Sequence, residues 1–539
     1  MASTLTPLPV RVVAFFDIGT NSIRLLLVRI NANHSTTILS QQKEIVRLGE
    51  NEFGDEEMLQ PDAMERAALV VARFAALARA YEADEMVAVA TAATREAKNQ
   101  AEFLHMLKRE TDVEVRVISG REEARLVYLG VSSGTHLADR RVVFIDIGGG
   151  SCEVILGSQH EYEYLDMFKL GAIRLTSMFF LPNETDPVPP ARYALIKQYV
   201  RNSAIRAIHR IKAESPVLAV GSSGTIMNLA DVAVHMISKR RLRRDDEVTL
   251  DQLRQAIQHL MSLPLEERRR VPGLNPERAD IIIAGAAVLE TLLEEFGIQT
   301  IRISDRGLRD GLLVDYLARL EVAGYAGAVP VRERSVIQLG RSCGFDETHC
   351  RQAAYLAEML FDAMQREGLH RMGAYERELL RYACMLHDVG TFLSYSNHHL
   401  HSYYIIRNAD LLGFDLTDQA IIAVTALFHR KAWPRKRSVE FASLPRRSRR
   451  IVRQLCVLLR LAESLDRSHS SLITTLSVHC PDKRTAVLEA QASGDAELEM
   501  WGAMAHEETF ARAFGRRLVV QIAPAADNAP TVNSTQSDG

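Results

Sequence analysis

The 539-residue sequence has little cysteine, no long apolar run and almost no net charge. Its six cysteines show no CxxC and no paired spacing, which is typical of buried or free thiols in a reducing cytoplasm. No apolar run reaches the roughly 18 residues that suggest a membrane span, and Asp17 interrupts the short N-terminal run VRVVAFF before it could form a signal-peptide core. The formal net charge of −3 excludes a uniformly basic nucleic-acid coat. We therefore expect a cytoplasmic protein without a membrane span or a specific nucleic-acid partner.

The remaining composition is ordinary for a soluble globular enzyme, with 47% hydrophobic and 25% charged residues. At this length one hydrophobic core does not suffice, so we expect two to four domains.

A short pattern occurs twice, as FFDIGTNSIRL at 15–25 and as FIDIGGGSCEV at 144–154. In each copy an apolar strand ends in aspartate, a loop of glycine and small polar residues follows, and a second apolar strand begins. Strand patterns alternate with helical patterns from the N-terminus to about residue 320, which indicates α/β architecture. The repeat predicts two similar α/β halves that arose by duplication.

Changes in pattern along the chain predict the domain boundaries. AGYAGAVP at 323–330 is typical of a linker, the segment after it is helical almost throughout, and short strands return near residue 472. We expect a first α/β domain at 1–133, a second at 134–322, a helical domain at 331–470, a small α+β domain at 471–524 and a disordered tail at 525–539. A closing helix at 307–320 is expected to pack back on the first domain.

The two aspartate loops have a plausible use in phosphate binding. Glycine lets backbone amides approach an anion closely, and consecutive amides form an anion-binding nest. The aspartate repels phosphate but can hold a divalent cation or a water molecule. Two such loops facing each other would clamp a phosphate chain, whereas the alternative is a pair of ordinary hairpin turns.

Six motifs carry a family resemblance: DIGTNSIRL, ATAATREA, ISGREEARL, DIGGGSCEV, AVGSSGT and SDRGLRDG, in this order between residues 12 and 315. The paired loops and VGSSGT resemble the superfamily of sugar kinases, actin and heat-shock ATPases. Together the motifs resemble the exopolyphosphatase and guanosine pentaphosphate phosphatase (Ppx/GppA) family. The resemblance implies a duplicated actin-like, ribonuclease H-like core that releases terminal orthophosphate from polyphosphate, or alternatively the 5′-terminal phosphate of pppGpp.

The resemblance also implies roles for individual residues. Glu123 is the expected catalytic base, with Glu122 as its rival, although both could be acids that favour a helix N-terminus. Asp146 and Glu153 are expected to hold Mg²⁺ or Mn²⁺. The expected substrate-binding residues are Asp17, Gly19, Thr20, Asn21, Ser22, Arg24, Arg95, Gly148, Gly149, Gly150, Ser151, Gly221, Ser222, Ser223, Gly224, Thr225 and Arg309. Cys152 stands where the family more usually has threonine, and we expect it to pack as a small apolar residue.

The helical region contains the pair His387–Asp388, preceded by His349 and followed by Asp466. This order resembles the HD-type metal-dependent phosphohydrolases, which implies an HD-like domain and a possible second divalent metal. Three further histidines could complete a two-metal set, namely His398, His399 and His429. The alternative is a metal-free helical domain with histidines on helix surfaces.

Competing functions remain open from the sequence alone. A sugar or acetate-type kinase would share the fold, but the acidic ISGREEARL motif and the lack of a sugar-binding motif argue against it. A regulator that senses an alarmone without turnover is the other class. The basic stretch at 429–455 is either a solvated surface or a track for a polyanion. We expect polyphosphate, pppGpp or both as substrates, and a homodimer.

Overall fold

A computed structural model of the protein describes residues 9–50, 57–137, 140–182, 184–243, 246–320, 330–430 and 433–522. It confirms the predicted fold class, because two sheet-and-helix halves are followed by a helical region and a small sheet. Within the described chain, residues 9–334 form one compact unit and residues 335–522 form another. The tail predicted at 525–539 lies outside the described residues.

The first half is built on a five-stranded sheet in the order β3-β2-β1-β4-β5. Strands β1 and β2 form an antiparallel hairpin, and β1 pairs in parallel with β4. Strand β1 is apolar at successive positions because both of its faces are covered: Phe15 and Phe16 are fully buried and belong to different core clusters. The elements are β1 Arg11–Ile18, β2 Ser22–Ile30, β3 Thr36–Ile45, α1 Pro61–Ala80, β4 Glu85–Ala90, α2 Ala92–Glu96, α3 Gln100–Thr111, β5 Val115–Val117 and α4 Gly120–Ser132.

The second half repeats the antiparallel hairpin in a six-stranded sheet. Here β6 pairs antiparallel with β7 and parallel with β9, in the sheet order β10-β11-β9-β6-β7-β8. The elements are β6 Val142–Ile147, β7 Cys152–Gly157, β8 Tyr162–Phe168, α5 Ala172–Phe179, α6 Pro190–Ser203, α7 Ile205–Ala213, β9 Leu218–Ser222, α8 Ser223–Ser238, β10 Glu247–Thr249, α9 Leu250–Met261, α10 Leu265–Arg268, a 3₁₀ turn Pro276–Arg278, α11 Ile282–Phe296, β11 Thr300–Ile303 and α12 Leu308–Arg319.

Helix α12 packs against α4 of the first half, and two glycines permit the close approach. A Cβ atom on Gly311 would lie 1.8 Å from the carbonyl oxygen of Leu126, and one on Gly130 would lie 2.1 Å from the carbonyl oxygen of Gly307. Any larger side chain at either position would force the helices apart. This contact fixes the position of α4, which carries Glu123.

The chain from residue 331 on, most of which forms the second compact unit, has a helical part and a three-stranded sheet. Strand β13 lies in the centre of this sheet, antiparallel to β12 and parallel to β14. None of the described helices is long and apolar enough to cross a lipid bilayer. The elements are α13 Val331–Ser342, α14 Glu347–Arg366, α15 Ala374–Leu386, a 3₁₀ turn Val389–Phe392, α16 His398–Asn408, α17 Leu416–Leu427, α18 Val439–Ala442, α19 Arg446–Ser464, β12 Ile473–His479, β13 Thr485–Ala492, α20 Glu497–Met504, α21 Glu507–Phe514 and β14 Arg517–Ile522.

Candidate active site

The two repeated loops adopt the same turn. In the first, the amide of Gly19 donates to the carbonyl oxygen of Ser22 at 3.1 Å; in the second, Gly148 donates to Ser151 at 2.9 Å. Each turn follows a strand that ends in the repeated Asp-Ile pair, so Asp17 and Asp146 occupy matching positions.

These turns meet at a small cavity of about 80 Å³. A Cβ atom on Gly149 would lie 3.0 Å from both Cβ and Cγ2 of Thr20, so the two loops are in close contact across the halves. The cavity is lined by Asp17, Gly19, Thr20, Asn21, Ser22, Arg24, Thr91, Glu123, Val127, Asp146, Ile147, Gly148, Gly149, Gly150, Ser151, Ser223, Gly224, Arg278 and Leu308. The predicted arrangement of two facing loops is therefore present.

Four carboxylates lie in or beside this cavity: Asp17, Glu123 and Glu153 are buried, and Asp146 is half-buried. Burial raises the pKa of each of them. For Glu123 the pKa rises to about 7, because burial outweighs the opposing effect of Arg95 and the neighbouring acids add repulsion. Such a group of buried acids cannot all be ionised without a nearby cation.

Glu123 is held in place from two sides. Ser119 caps α4 by accepting a hydrogen bond from the amide of Glu122, which fixes the first turn of the helix. Arg95 Nη1 lies 2.8 Å from Glu123 Oε2 and also donates to the carbonyl oxygen of Ile118 at 3.0 Å. The carboxylate is thus oriented toward the cavity by an ion pair with the half-buried Arg95.

Glu122 faces a different environment from Glu123. Its oxygens accept hydrogen bonds from Arg125 at 2.9 and 3.0 Å, and Arg125 also binds Asp315 at 2.8 Å. The hydrogen bonds from Arg125 lower the pKa of Glu122, and Glu122 does not line the cavity. The geometry therefore favours Glu123 over its neighbour as the base.

Asp146 and Glu153 form a pair suited to a divalent cation. They are directly opposite each other on β6 and β7, which places both side chains on one face of the sheet. Asp146 accepts a hydrogen bond from the hydroxyl of Ser222. Glu153 is 1% exposed, and its Oε1 has no hydrogen-bond partner among the residues that the structure describes. Two adjacent acids, one buried with an unpartnered oxygen and one half-buried, fit the oxygen donors that Mg²⁺ prefers.

Cationic side chains surround the acids. Arg24 lines the cavity opposite Asp17, and Arg278 lines it from the 3₁₀ turn of the second half. Arg278 is 5% exposed, and its Nε has no hydrogen-bond partner within the described chain. Burial, with repulsion from Arg24 and Arg47, lowers the pKa of Arg278 to about 10, so the group stays charged at neutral pH.

The cavity brings together most of the residues that the sequence singled out. Six of them lie outside its lining: Arg95, Glu153, Gly221, Ser222, Thr225 and Arg309. Arg95 and Ser222 instead support Glu123 and Asp146 by hydrogen bonds. The sequence analysis missed Arg278, since NPERAD carries no recognisable motif, and it also missed Thr91, Val127, Ile147 and Leu308.

Comparison with known proteins gives a consistent picture. The model of the Ppx/GppA phosphatase family matches residues 26–320, more than half of the chain, and the model of Ppx/GppA phosphatase domain III matches residues 331–498. The chain belongs to the Ppx/GppA phosphatase family. It is accordingly a hydrolase of phosphoanhydride bonds, which confirms the predicted enzyme class.

Several solved structures are similar to this chain. An exopolyphosphatase from Cytophaga hutchinsonii shares 25% identity and a TM-score of 0.54, with 58% of this chain and 99% of that chain covered. An exopolyphosphatase-like protein shares 25% identity and a TM-score of 0.53 over the same shares. A Ppx/GppA enzyme of Aquifex aeolicus shares 28% identity over 57% of this chain and 100% of that chain, with a TM-score of 0.48.

A second group of chemically reactive side chains lies in the helical region. Three histidines, His387, His398 and His429, each place Nδ1 against the backbone carbonyl oxygen three residues earlier, at 2.7, 3.0 and 2.6 Å. A carbonyl oxygen only accepts, so each Nδ1 carries the proton and each Nε2 faces the other way. All three Nε2 atoms lie near Asp388 Oδ1, at 3.6, 3.1 and 3.8 Å respectively.

This convergence fits a metal better than a hydrogen-bonded cluster. The Nε2 atoms of His398 and His429 are 3.1 Å apart, and the buried Nε2 of His387 has no hydrogen-bond partner in the described part of the chain. Burial lowers the pKa of His429 and keeps it in the neutral form that binds metals. Two donor groups, each spanning no more than 4.8 Å, share Asp388: one with His349 and His387, the other with His398 and His429.

Asp466 and His399 are not positioned as direct metal ligands. Asp466 Oδ2 lies 2.8 Å from Nδ1 of His349, and its other oxygen accepts from the amide of Ser471 at 2.8 Å. Asp466 therefore orients His349 from behind, leaving Nε2 of His349 available as a ligand atom. Neither Asp466 nor His399 belongs to the two donor groups found among the described residues.

Proposed function

We propose that the protein is an exopolyphosphatase, which releases terminal orthophosphate from inorganic polyphosphate in the cavity between the two loops. The observation that carries this proposal is the position of Glu123, a buried acid paired with Arg95 at a cavity that two anion-binding turns enclose. The similarity to the exopolyphosphatase of Cytophaga hutchinsonii supports the choice of substrate.

The reaction needs a water molecule, a base and charge neutralisation at the transferred phosphoryl group. Glu123 accepts a proton from the water as the water oxygen bonds to the terminal phosphorus. The bond from that phosphorus to the bridging oxygen breaks, the electron pair stays on the bridging oxygen, and the products are orthophosphate and a shortened chain. Arg24, Arg278 and the amides of both turns stabilise the charge on the phosphate oxygens.

Asp146 and Glu153 would hold Mg²⁺ or Mn²⁺, which when bound supplies positive charge for the phosphate oxygens. Its binding would also offset the burial, and the repulsion from Glu123 and Asp146, that raise the pKa of Glu153. Asp146 is kept in position for this role by the hydroxyl of Ser222.

Hydrolysis of the 5′-terminal phosphate of pppGpp is the alternative. The lined cavity measures about 80 Å³, which leaves the rest of any substrate outside it. The same reacting groups could therefore act on pppGpp, and what lies beyond the terminal phosphate decides between the two substrates.

Side-by-side assays with long-chain polyphosphate, pppGpp and ATP test the proposal. We expect orthophosphate release from polyphosphate with the highest kcat/KM. A higher kcat/KM with pppGpp would favour the alternative function. Binding of pppGpp without turnover of any of the three substrates would contradict both and indicate a regulator.

We also propose that the helical region holds one or two divalent metal ions through His349, His387, Asp388, His398 and His429, with Asp466 orienting His349. The test is elemental analysis of the purified full-length protein beside a variant that combines His387→Ala and Asp388→Ala. We expect the metal content to fall by at least one equivalent per chain, with polyphosphatase activity retained. Replacement of His399, which belongs to neither donor group, is the matched control. Unchanged metal content in the double variant would place the metal elsewhere.

A further inference from the structure

Strand β3 carries Lys43, a cation that the sequence analysis did not single out, and places it beside two residues of the cavity lining. The register pairs Asp17 with Arg24 across β1 and β2, and Arg24 with Lys43 across β2 and β3. Directly opposite residues of antiparallel strands place their side chains on the same face. The three side chains therefore form one row, in which Asp17 and Arg24 line the cavity and Lys43 lies one strand farther out, about 4.8 Å away in the sheet.

Lys43 faces an excess of positive charge. Arg24 on β2, Arg278 on the 3₁₀ turn and Arg309 on α12 all repel its ammonium group, and Glu277 is the acid that opposes them. Lys43 has no carboxylate within 4.0 Å among the residues that the structure describes. Asp17 offsets part of the charge of Arg24 and Arg309, and Asp280 offsets part of the charge of Arg278. Because Lys43 lacks such a close acid in the described chain, an anion bound beside these cations would be stabilising.

We propose that Lys43 binds the phosphates that follow the terminal one, as the outer member of a cationic exit from the cavity formed with Arg24, Arg278 and Arg309. This inference rests on the proposed function, since it assumes that a phosphate chain enters the cavity by its end. The ligand class is a linear phosphoanhydride chain, whether inorganic or attached to a nucleoside. Arg278 adds support because its buried Nε has no partner within the described residues.

The second half has no cation at the position that corresponds to Lys43, so the cationic row is specific to the first half. There, Glu153 of β7 is opposite Met167 of β8, so the row Asp146–Glu153–Met167 contains no base. A phosphate chain leaving the cavity would be attracted along the first sheet and repelled by the acids of the second.

The proposed role of Lys43 predicts that phosphate binding depends on pH. The Lys43 side chain is exposed, and partial desolvation of its ammonium group, together with repulsion from the three guanidinium groups, lowers the pKa of Lys43 to about 8. The side chain is charged below that pH and neutral above it, so its contribution to phosphate binding is lost as the pH rises through about 8. An arginine at the same position would stay charged throughout this range.

The experiment measures binding of inorganic tripolyphosphate with Mg²⁺ by calorimetry, in full-length protein carrying Glu123→Gln to suppress turnover. We expect Lys43→Met to weaken binding about tenfold at pH 7, as for the loss of one charge-assisted hydrogen bond. Between pH 7 and 9, we expect the affinity of the parent to fall relative to that of Lys43→Arg, which retains its charge. Lys98→Met, which removes an exposed lysine paired with Glu57, is the matched control and should bind like the parent.

Two results would overturn the role of Lys43: parent-like affinity of Lys43→Met at pH 7, or the same pH-dependent fall in Lys43→Arg as in the parent. Repeating the titrations with pppGpp distinguishes an inorganic phosphate chain from one attached to a nucleoside. If Lys43→Met weakens binding of both ligands equally, Lys43 recognises the phosphates alone. Failure of the proposed function would appear differently, as turnover by Glu123→Gln or as absence of tripolyphosphate binding in the parent.

Discussion

The two hairpins that enclose the cavity have the same backbone and opposite side-chain chemistry. In each, a glycine amide closes the turn and an aspartate ends the first strand. Across the first sheet that aspartate is followed by Arg24 and Lys43, and across the second by Glu153 and Met167. One row therefore has one acid and two bases, whereas the other has two acids and no base.

Under the proposed function, this difference would give the two copies of one element two different roles. The turn supplies amides for anions in both copies, because its backbone geometry does not depend on the neighbouring side chains. The residue opposite the aspartate then determines the charge of each row: arginine neutralises Asp17, and glutamate doubles the negative charge beside Asp146. The first hairpin is suited to phosphate and the second to a metal cation.

The parallel neighbours of the two aspartate-bearing strands, β4 beside β1 and β9 beside β6, also differ in the side chain that they place opposite the aspartate. Asp146 lies opposite Ser222, whose hydroxyl donates to it, while Asp17 lies opposite Val89, which offers no donor. Asp17 is instead stabilised by Arg24 and Arg309, which offset part of the effect of burial on its pKa. Asp146 thus has a fixed orientation suited to a metal ligand, and Asp17 is part of a charge pair.

The largest expected effect concerns Glu123, which lines the cavity together with the loops of both hairpins. Glu123→Gln should lower kcat about 10²–10⁴-fold, because an amide cannot accept the proton of the attacking water. Glu122→Gln is the control and should change kcat less than about twofold, since Arg125 holds Glu122 away from the cavity. Steady-state kinetics with polyphosphate would test this, and wild-type kcat in Glu123→Gln would refute the assignment.

A smaller effect should distinguish the acidic row from the basic one. Glu153→Gln should raise the Mg²⁺ concentration for half-maximal activity at least about tenfold, because a ligand oxygen is lost. Arg24→Met should raise KM for polyphosphate and leave the Mg²⁺ requirement within about twofold, because the proposed role of Arg24 is to bind phosphate. Activity titrated with Mg²⁺ after chelator treatment measures both. If the two variants shifted the Mg²⁺ requirement equally, the division of labour between the hairpins would be wrong.

The fold and the loops could be predicted from the sequence because they depend on local patterns. Aspartate, glycine and small polar residues between two apolar strands determine a turn, and its repetition determines the duplicated architecture. Glu123 lies in a motif for the same reason, at the start of a helix that follows a strand.

Two of the cations, Lys43 and Arg278, depend on long-range packing and were not predictable in this way, unlike Arg24, which lies in the first loop motif. Lys43 reaches the row through the register of β3, and Arg278 through a turn far along the chain. Neither register nor tertiary packing is encoded in a short motif. Similarly, the order of histidine and aspartate in the helical region identified the cluster, but only the geometry places Asp466 behind His349.

The smallest expected effect tests whether the spacing of the hairpins matters. Gly149→Ala would bring a Cβ atom to 3.0 Å from Thr20, whereas Gly148→Ala would meet only the carbonyl oxygen of Ser151 at 3.4 Å. The first change must displace one loop relative to the other by a few tenths of an ångström. The second leaves the distance between the loops unchanged.

We expect Gly149→Ala to lower kcat/KM for polyphosphate about tenfold, because the phosphoryl group would no longer contact both turns in the reactive geometry. Gly148→Ala, a substitution of the same kind one residue away, should remain within about threefold of wild type. Thermal unfolding of both variants separates this effect from a loss of stability. If both glycines tolerated alanine equally well, close contact between the two turns would not be required for catalysis, and each hairpin would act independently on its own part of the substrate.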